Sequence, residues 1–297
     1  MNSSIIGKFV EELVNFLFAR FRPGFDAFSS VLSAAVELLE NALAGVPFVV
    51  MLVLFVAVSL WRRGVAFAIF VGLALSTIHF MGLWAQTVST LALVMAATIL
   101  SLLIGIPLGI WGARSERVGV ALRSLLDFMQ TMPAFVYLIP AVILFGLGRV
   151  PAVIATIVFA MPPVVRLTTL GIRQVRPELM EAGRAFGSTE MQLLWKIQLP
   201  NALPSIMAGV NQTIMMALSM VVVASMIGAG GLGEYVLGGI QRLDIGIGFE
   251  GGLGVVLLAI VLDRLTESFG VKKAKKAGKS KSPASGLVKS KVFSRIF

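Results

Sequence analysis

Apolar residues gather into about seven stretches, roughly 46–61, 64–84, 87–111, 128–147, 150–168, 205–227 and 252–269, separated by short polar connections. A helix that crosses a bilayer needs about 20 predominantly apolar residues, so most of these stretches predict spanning helices. The first, 46–61, is short. It can borrow residues back to Leu38, tilt, or thin the bilayer locally, and a buried hairpin with 64–84 is the competing arrangement. Residues 1–45 carry a different pattern. Val10, Leu13, Val14, Leu17 and Phe18 recur at helical spacing, with Glu11, Glu12 and Asn15 elsewhere around the helix. Pro23-Gly24 is expected to break that helix, and a second is expected from about Asp26 to Leu43. Neither is apolar for long enough to span, so both predict amphipathic helices lying on a membrane face.

The longest polar island, residues 181–200, has the punctuation of two short helices joined at one glycine. Pro177 suits a first helical turn, where its missing N–H costs nothing. Glu178 and Glu181 sit near the positive end of the helix dipole and Arg184 near the negative end. Gly187 is placed to close the helix in a left-handed cap. Ser188 is then expected to cap a second helix, with Glu190 in its first turn, which runs to about Gln198 before Pro200 stops it.

Composition narrows the class. The chain has 57% apolar and only 13% charged residues and a mean hydropathy of +0.93, whereas soluble domains carry about 25% charged residues. An all-α integral membrane protein is the class that fits. There is no cysteine and a single histidine, His79, so disulfides, thiolate metal sites and histidine-centred metal or acid–base chemistry are not expected. The net charge of +10 is not spread over the chain: nine of the Lys and Arg residues lie in 270–297, which holds no acid, and without them the body carries +1. Such a tail points to anionic lipid or a topogenic role, and its lack of aromatic interleaving argues against nucleic acid.

The basic residues also orient the chain. With the tail in the cytoplasm, Arg62-Arg63, the Arg114/Arg117/Arg123 connection, and Arg166, Arg173, Arg176, Arg184 and Lys196 all fall inside, while the other side holds Arg149 and Arg242. The N-terminus then lies outside, and the two-helix knob is cytoplasmic.

Few polar groups interrupt the spans, and these mark a candidate translocation path: Gln130, Thr131 and Met132 near one span start, and Asn211, Met215, Ser219 and Met220 along the sixth. Small hydroxyl residues there serve helix packing more often than ligand binding. Asp127, Asp263 and Glu267 lie near span ends, so no intramembrane proton relay is evident. Two nucleotide-like motifs do not hold. Gly278-Lys279-Ser280 imitates the end of a P-loop, but Lys273 stands where its first glycine belongs. The run GAGGLG at 228–233 follows a span rather than a strand and predicts a flexible bend into an outer segment, where Glu234, Arg242 and Asp244 could meet an external protein.

The knob resembles the cytoplasmic signature of binding-protein-dependent ABC importer permeases. That signature reads E-A-A, three residues, Gly, nine residues, then Ile-x-Leu-Pro. Here it stands as Glu181, Ala182, Gly183, Gly187, Ile197, Leu199 and Pro200, with Gly183 in place of the usual alanine. The resemblance implies a five-helix type I ABC importer permease core at 87–269, with two extra transmembrane helices at 46–86 ahead of it. The coupling loop would be 170–200 and the basic tail 270–297. Glu178, Glu181, Ala182 and Ala185 fall on one helical face, the face that by resemblance docks on a nucleotide-binding subunit. The extension and the run at 219–252 are similar to the glycine betaine/proline branch, with choline or carnitine importers as alternatives. An ATP-independent secondary transporter or an osmotic channel is the reading from another class; neither has a use for this signature. The resemblance implies a bacterial inner-membrane complex of two permease copies, two ATP-binding subunits and a separate substrate-binding protein. ATP and magnesium would be held by the partner and no cofactor by this chain, which would not itself be an enzyme.

Overall fold

The computed structural model describes residues 5–270. The expectations attached to the basic tail lie outside the described residues. Those residues form α-helices joined by short connections, with no strand among them.

The first helix, α1 (Ile5–Ala44), corrects the expected break, because it runs through Pro23 without interruption. A proline ring crowds the carbonyl four residues earlier and removes one hydrogen bond, which a long membrane helix tolerates as a local adjustment. The second half of α1 also does more than lie on a surface. Arg20–Ala44 is long and apolar enough to span, with a mean hydropathy of 1.2. Leu32 and Val36 are buried in the main core. Phe25 meets Phe145 edge to face at 5.5 Å, and Glu40 pairs with Arg149. No local pattern in the sequence reveals that Glu40 is neutralised by a partner 109 residues away.

Helices α2 (Phe48–Arg63) and α3 (Val65–Phe80) form a tight hairpin turning at Gly64. At 16 residues each, they reach about 24 Å, short of the roughly 30 Å hydrocarbon layer. The hairpin is tied to the far end of the chain: Arg63 pairs with Glu267, and the Arg62 guanidinium lies 4.1 Å from the Phe269 ring centre.

Helix α4 (Trp84–Arg114) is an unbroken span. The expected span at 128–147 is instead a bent pair, α5 (Glu116–Thr131) and α6 (Ala134–Phe145), which meet at 97°. Pro133 supplies no N–H and drives Met132 into extended geometry (φ −75°, ψ 135°), which ends α5 there. Helices α7 (Arg149–Ala160) and α8 (Pro162–Arg173) together make one span. After the knob helices α9 (Pro177–Ala185) and α10 (Glu190–Leu193) comes α11 (Leu199–Ala224), then the short α12 (Leu232–Arg242) and the last span, α13 (Ile245–Gly270). By length and composition five helices can cross a membrane, or six with the bent pair.

The main core holds Val94 of α4, Val153 of α7, Leu218 of α11 and Val261 of α13, all nearly inaccessible. Large apolar side chains such as Leu73, Leu103, Phe128 and Ile139 stay exposed. Water would penalise that surface, and lipid does not. Helices meet without a hydrophobic driving force in such a solvent, so close approach decides which pairs pack. Gly105, Gly109 and Gly112 form a groove along α4 that receives α8: a Cβ on Gly109 would lie 2.6 Å from Thr168 Cβ and 2.9 Å from the Val165 carbonyl oxygen. Gly209 on α11 meets the other side of α8, at Val164 and Leu167. The α4 spacing is readable in the sequence as a small-residue motif, and its partner is not.

Candidate functional site: a knob on a continuous helix

The knob is set by its caps. Pro177 begins α9 with Glu178 in the first turn and Arg184 in the last. Gly187, at φ +75°, adopts the left-handed conformation that side chains resist. Its N–H bonds to the Arg184 carbonyl at 2.9 Å, and the Ser188 N–H bonds to the Gly183 carbonyl at 3.1 Å, the paired bonds of a Schellman ending. Ser188 is thereby used up, so the next cap falls one residue later than expected. Thr189 accepts from the Gln192 N–H at 3.3 Å, and the Gln192 side chain accepts from the Thr189 N–H at 2.9 Å, a reciprocal capping box.

Pro200 does not stop the second helix, contrary to expectation. Helix α10 passes through a π-helical turn, Leu194–Gln198, directly into α11. In that turn the Leu199 N–H reaches back five residues to the Leu194 carbonyl. The wider turn relieves the clash a proline ring makes with the carbonyl four residues before it. Glu190–Ile227 is therefore one continuous helix of 38 residues.

Gly183 explains how the knob is seated. A Cβ there would lie 2.5 Å from Leu193 Cδ2 and 2.6 Å from Ile197 Cδ1. The smallest side chain thus lets α9 rest on the helix that becomes α11, where Leu193 and Leu194 are buried and Ile197 and Leu199 half-buried. On the other side Glu178, Glu181, Ala182 and Ala185 are all exposed, as the spacing predicts. Phe186 (90% exposed), Trp195 (63%) and Met191 (54%) join them, and Pro200 is exposed at the start of α11. Arg184 bridges to Glu190 at 3.3 Å across the two helices, an exposed pair of small energetic value. The knob thus presents carboxylates beside large uncovered apolar groups.

The candidate path residues divide between two sides of α11. Met215 and Ser219 are exposed, and Gln212 joins them one turn away on the same uncovered face. Asn211 is half-buried and Met220 is fully buried. Asn211 donates to Asp263 at 2.7 Å and accepts from Thr266 at 2.5 Å, which ties α11 to α13. Met220 is fully buried beside Tyr137 and Leu138. Residues i and i+4 of one helix share a face, so 211, 215 and 219 form one row, and 220 is turned away from it toward the Tyr137 cluster. Of the α5 end, Gln130 accepts from Arg166, Thr131 is exposed and bonds its own helix, and Met132 packs partly against the Tyr137 cluster. Sequence reasoning missed Arg173, which donates to the Gly112 carbonyl at 2.7 Å and locks the α4–α5 corner onto α8.

At the opposite end from the knob, the glycine bend leads into a bond with α4. Gly228, Gly230 and Gly231 all have φ near +80°, and the Leu232 N–H bonds to the Thr90 hydroxyl of α4 at 2.8 Å. A Cβ on Gly231 would reach the same hydroxyl at 2.5 Å. Beyond it, Glu234 and Arg242 are exposed on α12, and Asp244 caps α13 by accepting from the Ile247 N–H at 3.1 Å. The hairpin tip also exposes Leu243 and Ile245, almost completely, an apolar feature the charge pattern did not indicate.

The described residues thus make a largely apolar helical body with helices long enough to cross a membrane and an exposed two-helix knob. Residues 105–272 match the family model for the binding-protein-dependent transport system inner membrane component, and the chain belongs to that family. It is a transport subunit, not an enzyme. Among curated relatives it is 49% identical over 265 residues to the glycine betaine/proline betaine transport system permease protein ProW of Escherichia coli, covering 89% of this chain and 75% of that one. It is 44% identical to the glycine betaine transport system permease protein OpuAB of Bacillus subtilis, over 89% of this chain and 94% of that one. It is 47% identical to the glycine betaine/carnitine transport permease protein GbuB of Listeria monocytogenes, over 91% and 96%. The solved inward-facing MetNI methionine ABC transporter superposes with a TM-score of 0.55 at 22% identity, over 61% of this chain and 91% of that one. That likeness establishes the fold alone.

Proposed function

We propose that the chain is the membrane permease of an importer for glycine betaine and related betaines, driven by ATP hydrolysis in a partner subunit that grips the α9–α10 knob. The carrying observation is the knob itself: an exposed Glu178/Glu181 face with Phe186 and Trp195 uncovered, seated through Gly183 on a helix that continues through the body. Exposed aromatic groups beside carboxylates are what a protein partner with basic groups and an apolar groove would cover. The names of the relatives support the betaine substrate, and the carnitine in one of them supports carnitine as a second cargo.

In this reading the complex holds two copies of the permease, two ATP-binding subunits that carry ATP and magnesium, and a separate binding protein that selects the solute. The apolar α12–α13 tip, with Glu234, Arg242 and Asp244 around it, is the surface offered to that binding protein. The knob is cytoplasmic, by the distribution of Lys and Arg.

The test is uptake of radiolabelled glycine betaine into vesicles that contain the permease with its ATPase and binding protein. Uptake should require ATP, and uptake that persists without ATP refutes the reading. Glu181→Lys and Gly187→Leu should leave the protein in the membrane and abolish coupling of hydrolysis to uptake. Normal transport in both variants would place the ATPase contact elsewhere.

A further inference from the structure

Three guanidinium groups face one carboxylate across a cleft of about 610 Å³ between α5, α8 and α11, at the knob end of the bundle. Two of the three are committed. Arg166 donates to both Asp127 and Gln130, and Arg173 donates to the Gly112 carbonyl at 2.7 Å. Arg123 has no hydrogen bond, ion pair or ring partner among the described residues, although it lines the cleft. It sits one helical turn before Asp127 on α5, so a free positive group and a negative group emerge side by side, with Cβ atoms about 5–6 Å apart.

The position of the cleft gives this pair a use. Its α11 wall is Gln212, which belongs to the uncovered face of Met215 and Ser219. The cleft is therefore the knob-end continuation of that face. Higher along the face, methionine and serine offer a solute nothing to hold by charge. Here both signs are available at short spacing, in a volume within the usual range of about 300–1,000 Å³ for small-molecule sites.

We propose that the cleft is a transit site for a zwitterion bearing a carboxylate and a quaternary ammonium. The Arg123 guanidinium takes the carboxylate, and Asp127, held by Arg166, faces the ammonium. A quaternary ammonium donates no hydrogen bond, so a fixed negative charge is the partner it can use. Both side chains remain open to solvent on the cleft wall, which keeps the hold weak enough for release. The inference rests on the reading of the chain as a betaine permease.

The experiment uses the whole transporter in vesicles and reads glycine betaine taken up per ATP hydrolysed, a ratio that counts only complexes able to work. Arg123→Gln should lower the ratio about tenfold, the lower end for the loss of one charge-assisted hydrogen bond. Arg123→Lys should restore it to within about threefold of wild type, since a lysine keeps the charge and loses the planar fork. A ratio in Arg123→Gln equal to wild type overturns the proposal. So does a loss seen only in vesicles containing anionic lipid, because the occupant of Arg123 would then be a lipid phosphate. Wild-type uptake in the same vesicles checks the substrate reading, and the ratio of variant to wild type checks the cleft.

Discussion

Replacing a single helical glycine by alanine should have different consequences at Gly183 and at Gly109. In both helices the exchange gains about 1 kcal/mol of backbone propensity. At Gly183 the new methyl meets Leu193 Cδ2 and Ile197 Cδ1 at 2.5 and 2.6 Å. Those are the far ends of two flexible side chains, which can turn away at a cost of about 1 kcal/mol, so the net change should stay within about 0.5 kcal/mol. At Gly109 the obstacles are Thr168 Cβ at 2.6 Å, Thr168 Cγ2 at 2.9 Å and the Val165 carbonyl oxygen at 2.9 Å. A backbone oxygen and a β-branched carbon on a buried helix cannot rotate aside. The α4–α8 seam must open, and overpacking of this kind costs about 1–3 kcal/mol, leaving Gly109→Ala destabilised by up to about 2 kcal/mol after the propensity gain. For a chain of this size that is a fall of up to about 4–8 °C in Tm. Thermal unfolding of the purified protein in detergent, followed by fluorescence of its four tryptophans, measures both. Equal shifts in the two variants would refute the reasoning, because helix propensity would then outweigh packing at both sites.

Three further outcomes follow from the same geometry. The chain has no cysteine, so Ser219→Cys should react quickly with a maleimide reagent and Met220→Cys slowly in the folded protein; equal rates would mean that α11 is rotated from its described setting. Thr90→Val removes the hydroxyl that accepts the buried Leu232 N–H and should cost about 1–3 kcal/mol, read in the same melting experiment. Glu40 and Arg149 should show a coupling of about 0.5–3 kcal/mol in a double-mutant cycle of Glu40→Ala and Arg149→Ala; a coupling of zero would mean that α1 does not depend on that pair for its place.

Local chemistry was legible in the sequence wherever one residue's own geometry decides the outcome. Pro177, Gly187 and the exposed positions 178, 181, 182 and 185 stand as read, because caps and helical faces follow from spacing alone. What was not legible depends on distant partners. Residues 26–43 read as too briefly apolar to span, and the pairing of Glu40 with Arg149 could not be seen locally. Asn211 reads as a polar interruption of a span, and its ties to Asp263 and Thr266 on α13 could not be read from spacing. Pro200 looked like a stop until a widened turn accommodated its ring. The apolar α12–α13 tip escaped notice because an exposed and a lipid-facing leucine look the same in composition.

The widened turn at Leu194–Gln198 has a mechanical consequence. From Glu190 to Ile227 the backbone is a single rod of 38 residues, about 57 Å long, with the knob at one end and the glycine bend at the other. A rod that ended at Pro200 would have needed a chain of side-chain contacts to carry a displacement onward. This one is its own lever. A π turn lies beside the knob and a 3-10 turn, Ser225–Ile227, at the far end, and the start of α12 beyond the glycine bend is tied to α4 through Thr90. A torque applied at α9 would therefore pass along α11 as a unit, and the π turn is the point where that rotation would be taken up.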